Sequence, residues 1–146
     1  ITILNPAPAQ PLEENILKLC DFVTPNEIEA EQITGIPVKS INDAEIAAEK
    51  LLDKGANAAV ITLGKQGALF KDNKQVIHQK SYEVGPVVET TGAGDAFNGG
   101  LAVALAEEMP IAKALRFACA TASISVTRKG TAPSMPKRHE IDTLLK

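Results

Sequence analysis

The chain has 146 residues and a mass of 15.4 kDa, which is about the length of one ordinary globular domain. Hydrophobic residues make up 45%, charged residues 23%, and the formal net charge is −3; such values exclude a disordered, collagen-like or disulfide-rich chain. The sequence pI of about 5.4 and the lack of tryptophan argue against nucleic-acid binding, which needs a basic surface and aromatic stacking partners.

The sequence also carries no signal for a membrane or for secretion. No apolar run approaches the ~18–20 residues that span a bilayer, and the start lacks the basic flank of a signal peptide. Cys20 and Cys119 stand far apart, without cysteine or histidine at metal-ligand spacing, so neither a disulfide framework nor a zinc site is predicted. We therefore expect a cytoplasmic protein with reduced thiols and no membrane partner. The start at Ile1, in an apolar β-type run, suggests part of a longer protein.

Short apolar runs of β type alternate with stretches of helical spacing in the first half of the chain. Asn26 is placed to cap a helix that Gly35 ends, and Asn42 or Asp43 is placed to cap the next, which Gly55 ends. The predicted elements are a strand at residues 2–4, a helix at 12–19, a strand at 20–23, two helices with these caps, and a strand at 58–63.

The later elements complete an α/β pattern. The unbroken apolar run at residues 58–63 is typical of a strand buried on both faces of a parallel sheet. Residues 68–70 and 75–78 flank a polar turn at 71–74 and predict a hairpin at the sheet's edge. A long, largely buried helix is predicted from Ala93, another from Pro110 to about Val126, and a short one at 140–145. The order predicts a layered α/β domain with right-handed crossovers between parallel strands.

Four of the ten glycines stand between positions 92 and 100, at the start of the helix predicted from Ala93. Glycine there lets backbone N–H groups approach a ligand closely, and the unpaired amides at the positive end of the helix dipole favour an anion. The sequence thus predicts a phosphate or oxyanion site at Gly92, Ala93 and Gly94. The alternative is a plain glycine-rich turn in which Asp95 is only a favourable charge at the helix start.

The spacing of these glycines fits neither of two common phosphate-binding motifs. A dinucleotide-binding GxGxxG would need glycine at Phe97, and a P-loop counted from Gly94 would need lysine at Gly100. The string TGAGD is instead rare enough to identify a family, and with four further stretches it resembles the ribokinase-like, phosphofructokinase-B-type carbohydrate kinases. The matching stretches, in family order, are NPAP at residues 5–8, TPNE at 24–27 with Glu29, TLG at 62–64 with Gly67, TGAGD at 91–95 and VTRKG at 126–130.

This resemblance implies a ribokinase-like, three-layer αβα fold with a Rossmann-like, mostly parallel sheet and an edge hairpin. It covers the whole chain but only the C-terminal half of family members, so residues 1–146 are interpreted as one domain, the nucleotide-binding and catalytic portion of a sugar kinase. The implied activity is ATP-dependent phosphorylation of a sugar hydroxyl, with the 5-hydroxyl of ribose as the expected acceptor. Two alternatives stay open: a nucleotide-binding fragment without turnover, and a related kinase for fructose or a nucleoside.

The resemblance also implies roles for single residues. Asp95 would take the hydroxyl proton, while the amides of Gly92, Ala93 and Gly94 would hold the γ-phosphoryl oxygens, in keeping with the positioning and charge stabilisation that phosphoryl transfer requires. ATP would be bound by Asn26, Thr62, Gly64, Gly67, Gly94, Asp95 and Cys119. By itself Asn26 is more often a helix cap, and a buried structural thiol is the usual interpretation of Cys119.

Two metal sites are implied in the same way. The pair Asn26 and Glu29 would organise Mg²⁺ and the phosphates, and a monovalent cation, usually K⁺, would lie beside the anion site. Its oxygen ligands would come, mostly as backbone carbonyls, from Glu89, Thr91, Ser125, Arg128, Gly130 and Ser134. The family's usual acid at the position of Glu89 is aspartate, so altered cation affinity or selectivity is expected. The full-length protein is expected to be a homodimer, and His78 and His139 are expected to be solvated.

Overall fold

The computed structural model describes residues 1–8, 10, 12–13 and 15–146. The chain forms two compact units, residues 1–78 and 79–146. Among the helices of the described part of the chain, none combines the length and the apolar character that a membrane span requires. Both cysteines are buried and free.

The first unit is built on a five-stranded sheet in which the order of the strands in space follows the chain. The first three strands are parallel neighbours, whereas the third and fourth are antiparallel. The sheet is therefore mixed rather than mostly parallel. Its third strand has a parallel neighbour on one side only, because the hairpin pairs on the other. The strands are β1 (Ile3–Leu4), β2 (Phe22–Val23), β3 (Ala58–Thr62), β4 (Ala68–Asp72) and β5 (Val76–Gln79).

Strands β4 and β5 form the predicted hairpin at the end of the sheet. Asp72 sets the turn: its Oδ1 accepts hydrogen bonds from the amides of Lys74 at 2.7 Å and Gln75 at 2.8 Å. The Asp72 amide in turn donates to the Gln75 carbonyl at 3.1 Å. An aspartate that binds backbone amides two and three residues ahead is a common turn-forming arrangement. Strand β4 extends through Asp72 and β5 begins at Val76, so the turn is shorter than the four polar residues predicted for it.

Helix α1 (Glu27–Thr34) begins and ends where the sequence predicts. The side chain of Asn26 accepts a hydrogen bond from the amide of Glu29, and Gly35 closes the helix in the left-handed conformation at φ 77°. The first amides and last carbonyls of a helix need hydrogen-bond partners outside it. In α1 the flanking residues Asn26 and Gly35 supply such partners.

Helix α2 (Ile41–Asp53) begins earlier than predicted. Its cap is Ser40, whose hydroxyl accepts the amide of Asp43 at 3.1 Å, so the prediction of Asn42 or Asp43 as cap is wrong. The buried face of α2 consists of Ala44, Ala47, Ala48 and Leu51. These side chains belong to a core that also includes Val23, Ala30, Ala59, Ile61 and Leu69.

The helix predicted at residues 12–19 is reduced to one 3-10 turn, Leu17–Leu19, and residue 14 lies outside the described part of the chain. Leu17 is buried, whereas Leu19 is 74% exposed. Leu12 and Ile16 still pack against the core. An eight-residue helix is only marginally stable unless one of its faces packs continuously against the core. Apolar spacing alone therefore predicted a longer helical element than the 3-10 turn that is observed.

The second unit is helical. Helices α3 (Ala93–Ala106) and α4 (Ile111–Ser125) pack along each other, and α5 (Arg138–Leu144) packs against α4. A Cβ added at Gly100 would lie 3.0 Å from the Ala118 Cα, so the two helix backbones approach closely at this glycine. The prediction that α3 is largely buried is wrong for its outer face, where Val103 is 44% exposed.

Candidate functional site

In the first unit, predicted nucleotide-binding residues gather at the carboxyl ends of β2 and β3. Asn26 and Thr62 form a parallel β-bridge, and the Thr62 amide donates to the Pro25 carbonyl at 2.9 Å. Gly64 begins the turn after β3, and a Cβ added there would lie 3.9 Å from Glu27 Oε1. Open α/β sheets bind ligands at this edge because the loops after parallel strands meet there.

Asn26 and Glu29 form a reciprocal capping box at the start of α1. Asn26 Oδ1 accepts the Glu29 amide at 2.9 Å, and Glu29 Oε2 accepts the Asn26 amide at 2.9 Å. Glu29 is only 7% exposed, so its carboxylate is fixed rather than mobile. One oxygen of Glu29 thus serves the backbone, and a carboxylate has a second. The pair is therefore compatible with a hard, oxygen-seeking cation such as Mg²⁺.

Gly67 closes the turn after β3 with a backbone that favours glycine. Its φ is 92°, a region that other residues rarely adopt. Its carbonyl accepts the Leu63 amide at 2.8 Å, and its amide donates to Gly64 at 3.0 Å. His78 also contacts this turn, since its Nε2 lies 2.7 Å from the Gln66 carbonyl. His78 is exposed but partnered, which corrects the expectation of a merely solvated side chain.

In the second unit, the predicted anion site lies at the first turn of α3. Gly92 precedes the helix with φ 82°. The Ala93 amide is already used, because it donates to the Thr90 carbonyl at 3.1 Å. The amides of Gly94 and Asp95 have no hydrogen-bond acceptor among the described residues, as expected for the second and third residues of a helix. A Cβ added at Gly94 would meet nothing within 4 Å, and Asp95 is exposed.

The residues predicted to bind the monovalent cation surround one loop that follows α4. The Val126 carbonyl accepts the amides of Val88 at 2.8 Å and Glu89 at 3.2 Å. Glu89 Oε2 accepts the Gly130 amide at 2.8 Å. The hydroxyls of Ser125 and Ser134 donate to local carbonyls, at 2.8 Å and 2.6 Å.

This donor set is compatible with a cation held mainly by carbonyl oxygens. The Glu89 carboxylate accepts the Gly130 amide through Oε2, and its other oxygen takes no part in that hydrogen bond. Thr91 lies exposed just before α3. Among the described residues, no three His, Cys, Asp or Glu side chains are arranged to hold a metal.

Cys119 lies in the middle of α4 and is 3% exposed. Its Sγ is 3.9 Å from the Gln79 carbonyl, and burial raises the pKa of the thiol to about 12. The thiol is therefore neutral and behaves as a small apolar side chain. These contacts favour a structural role for Cys119.

Two residues of the second unit that the sequence did not single out, Thr131 and Glu140, contact the predicted site residues Gly92 and Arg128, respectively. A Cβ added at Gly92 would lie 3.1 Å from Thr131 Cγ2, so Thr131 backs the start of α3. Glu140 binds the Arg128 guanidinium through both carboxylate oxygens. The signal for Glu140 is its position three residues after Lys137, which is the spacing of a glutamate that bonds back to a helix start.

Comparison with known proteins finds sugar kinases among the relatives of this chain. The chain is similar to a ribokinase of Haemophilus influenzae, with 46% identity over 94% of this chain and 45% of that protein. It is also similar to a deoxyribokinase of Salmonella typhimurium, with 39% identity over 98% of this chain and 47% of that protein. Among solved structures, Arabidopsis thaliana ribokinase complexed with ribose and ATP matches with a TM-score of 0.94 and 35% identity, over 99% of this chain and 47% of that one.

The chain thus spans about half the length of the curated relatives it matches. The structural match over nearly the whole chain confirms the ribokinase-like α/β fold. Residues 1–138 match the sequence profile described as pfkB family carbohydrate kinase. With the TGAGD string at the start of α3 and the strand-end loops of the first unit, this match shows that the chain belongs to the pfkB family of carbohydrate kinases.

Proposed function

We propose that the complete protein containing this chain transfers the γ-phosphoryl group of ATP to ribose and forms D-ribose 5-phosphate. The identity to a ribokinase over 94% of the chain supports ribose as the acceptor, and the similar Arabidopsis structure contains ribose and ATP. Residues 1–146 would together act as the nucleotide-binding and catalytic portion of the enzyme. The complete protein would act as a homodimer in the cytoplasm.

The start of α3 carries this proposal. The amides of Gly94 and Asp95 have no acceptor in the described part of the chain, and Gly94 leaves open space where a side chain would be. Unpaired amides at the positive end of a helix dipole stabilise an anion. The Gly92 amide, like that of Gly94, has no acceptor among the described residues, whereas Ala93 donates to Thr90. We therefore assign the main contacts with the phosphoryl oxygens to Gly92 and Gly94, while Ala93 shapes the turn.

Asp95 would act as the base that accepts the proton of the attacking sugar hydroxyl. It lies in the first turn of α3 and is exposed, so its carboxylate is accessible from solvent and close in sequence to the proposed phosphoryl site. Phosphoryl transfer passes through a loose transition state in which positioning and charge stabilisation dominate. The base for this step therefore need not be strong.

The strand-end loops of the first unit would bind the nucleotide. Asn26, Thr62 and Gly64 share one edge of the sheet, and Gly67 closes the adjoining turn. Asn26 and Glu29 would hold Mg²⁺, which neutralises phosphate charge when bound. We assign Cys119 at most an apolar contact with the nucleotide, since its thiol is buried and neutral.

A monovalent cation would occupy the loop after α4 and support the anion site through its charge. Glu89, Thr91, Ser125, Arg128, Gly130 and Ser134 are the proposed sources of oxygen ligands. Glu89 differs from the acid usual in the family by one methylene group, and it reaches the Gly130 amide. The expected result is turnover that rises with K⁺ but with altered affinity or ion preference; turnover that is identical in K⁺ and Na⁺ would remove this site from the proposal.

The acceptor is tested by an ATP-dependent phosphorylation assay on the full-length protein with ribose, 2-deoxyribose, fructose and a nucleoside. Ribose should give the highest kcat/KM. Deoxyribose is the specific second candidate, because a deoxyribokinase is 39% identical over 98% of the chain. A higher kcat/KM with deoxyribose would favour that activity, and preference for fructose or a nucleoside would contradict the proposal.

A further inference from the structure

We propose that Glu140 is a positioning residue for the anion site, acting through Arg128 on the loop that packs against Gly92. The proposal rests on the proposed function of the α3 start. It assigns a role to a side chain of the C-terminal helix that neither contacts the phosphoryl site nor belongs to the nucleotide-binding loops.

Glu140 joins α5 to the loop after α4. Its Oε1 accepts the Arg128 Nη2 and its Oε2 lies 3.4 Å from Nη1, a bidentate arrangement. Oε2 also accepts the Lys137 amide at 2.8 Å. The hydrogen bond from Arg128 is the main cause of a lowered Glu140 pKa, about 2. A guanidinium bound in this forked geometry is restricted in direction as well as in distance.

The loop that carries Arg128 is held at both ends by the segment before α3. The Val126 carbonyl accepts the amides of Val88 and Glu89, and the Gly130 amide donates to Glu89. Arg128 lies midway between these two attachments, and its own amide donates to the Ser125 carbonyl at 3.1 Å. The ion pair therefore fixes the middle of a loop whose ends are already tied.

The same loop leads directly to the proposed anion site. Thr131 follows Gly130, and its Cγ2, Cβ and Cα lie 3.1, 3.3 and 3.4 Å from the position of a Cβ added at Gly92. Gly92 has a left-handed backbone at φ 82°, and Thr131 packs directly against this turn. A shift of the loop would thus change the position of Gly92 and the amides that follow it.

Helix α5 supplies a fixed base for Glu140. Arg138 binds Asp142 at 3.0 Å and Glu107 at 2.6 Å, and its guanidinium lies 5.0 Å from the centre of the Phe117 ring. Ile141 is buried. The contacts of Arg138 with Glu107 and Phe117 attach α5 to the end of α3 and to α4, so the position of Glu140 is set independently of the loop that it holds.

The test compares Glu140→Gln with Asp142→Asn in the full-length protein. Asp142→Asn removes a paired carboxylate from the same helix without touching the loop. Because a misplacement of about 1 Å can cost about 100-fold in rate, we expect Glu140→Gln to lower kcat by about tenfold with little change in the KM for ribose. Asp142→Asn should leave kcat unchanged. Partly exposed ion pairs contribute little to stability, so both variants should fold.

Two further measurements separate positioning from a general structural effect. In an Arg128→Gln background the Glu140→Gln change should have no additional effect on kcat, because the two side chains act as one unit. Hydrogen exchange of the Ala93 and Ala96 amides, which are hydrogen-bonded to Thr90 and Gly92, should be faster in Glu140→Gln than in the wild type or in Asp142→Asn. Unchanged exchange, or an additive loss of kcat in the double variant, would overturn the proposal. A wild-type protein that phosphorylates no sugar would overturn the proposed function alone, since exchange still tests the positioning.

Discussion

Replacing Gly100 with alanine should destabilise the protein, whereas the same replacement at the neighbouring Gly99 should stabilise it. Both residues lie inside α3, and both variants gain helix propensity, about 1 kcal/mol for alanine over glycine. A Cβ at Gly99 would meet nothing within 4 Å. At Gly100 it would lie 2.7 Å from Thr121 Oγ1 and 3.0 Å from the Ala118 Cα.

The distances at Gly100 set the size of the effect. The Ala118 contact is with backbone, and Thr121 is held because its hydroxyl donates to the Phe117 carbonyl at 2.8 Å. Relief therefore requires α3 and α4 to separate, and overpacking of this kind costs about 1–3 kcal/mol. Since the propensity gain is common to both variants, the difference between their free energies of unfolding equals this packing cost.

Urea denaturation of the wild type and both variants measures that difference. We expect Gly99→Ala to raise the unfolding midpoint and Gly100→Ala to lower it, with a gap of about 1–3 kcal/mol. The slope of the transition should not change. Equal stability of the two variants would refute the close approach of α3 and α4 at Gly100.

Three further predictions concern a helix cap, the anion site and an ion pair. Asn26→Ala should lower the free energy of unfolding by about 1 kcal/mol, because the Glu29 amide loses its acceptor; an unchanged urea midpoint would argue against the cap. Gly94→Ala should fold as well as the wild type but lower kcat at least tenfold, because its Cβ enters the space left for the phosphoryl group; an unchanged kcat would contradict that use of the space. The Glu140 pKa is lowered from 4.5 to about 2, chiefly by Arg128, so this pair stabilises the protein above about pH 4.5 and loses that effect as the pH falls toward 2. Thermal unfolding over this range should be less steeply pH-dependent in Glu140→Gln, and identical pH profiles would exclude the effect.

The elements that the sequence predicted correctly are those determined by neighbouring residues. Asn26, Gly35 and Asp72 act on amides or carbonyls within five residues of themselves, so their effect is visible in a local pattern. The helix predicted at residues 12–19 depends instead on what packs beside it. The cap of α2 was misplaced because Ser40, Asn42 and Asp43 are all good cap residues, and their order alone does not choose between them.

In the candidate site, too, the sequence predicts features set by neighbouring residues but not those set by packing between elements. The sequence identifies one cluster of glycines, but the structure separates it into Gly94, which leaves open space, and Gly100, which allows two helices to approach. No local pattern distinguishes these uses, because the second depends on Ala118 and Thr121 of another helix. Glu140 was missed for a related reason, since its partner lies twelve residues earlier, across a loop.

The most direct test of the account is Asp95→Asn in the full-length protein, with ribose turnover and ATP binding measured on the same preparation. The change keeps the shape of the side chain and removes the proton acceptor. Since general-base catalysis contributes about 10²–10⁴-fold, we expect a fall in kcat of that order, with an ATP Kd within about twofold of the wild type. Unchanged turnover, or an equal loss of turnover and ATP binding, would contradict the role of Asp95 as the catalytic base.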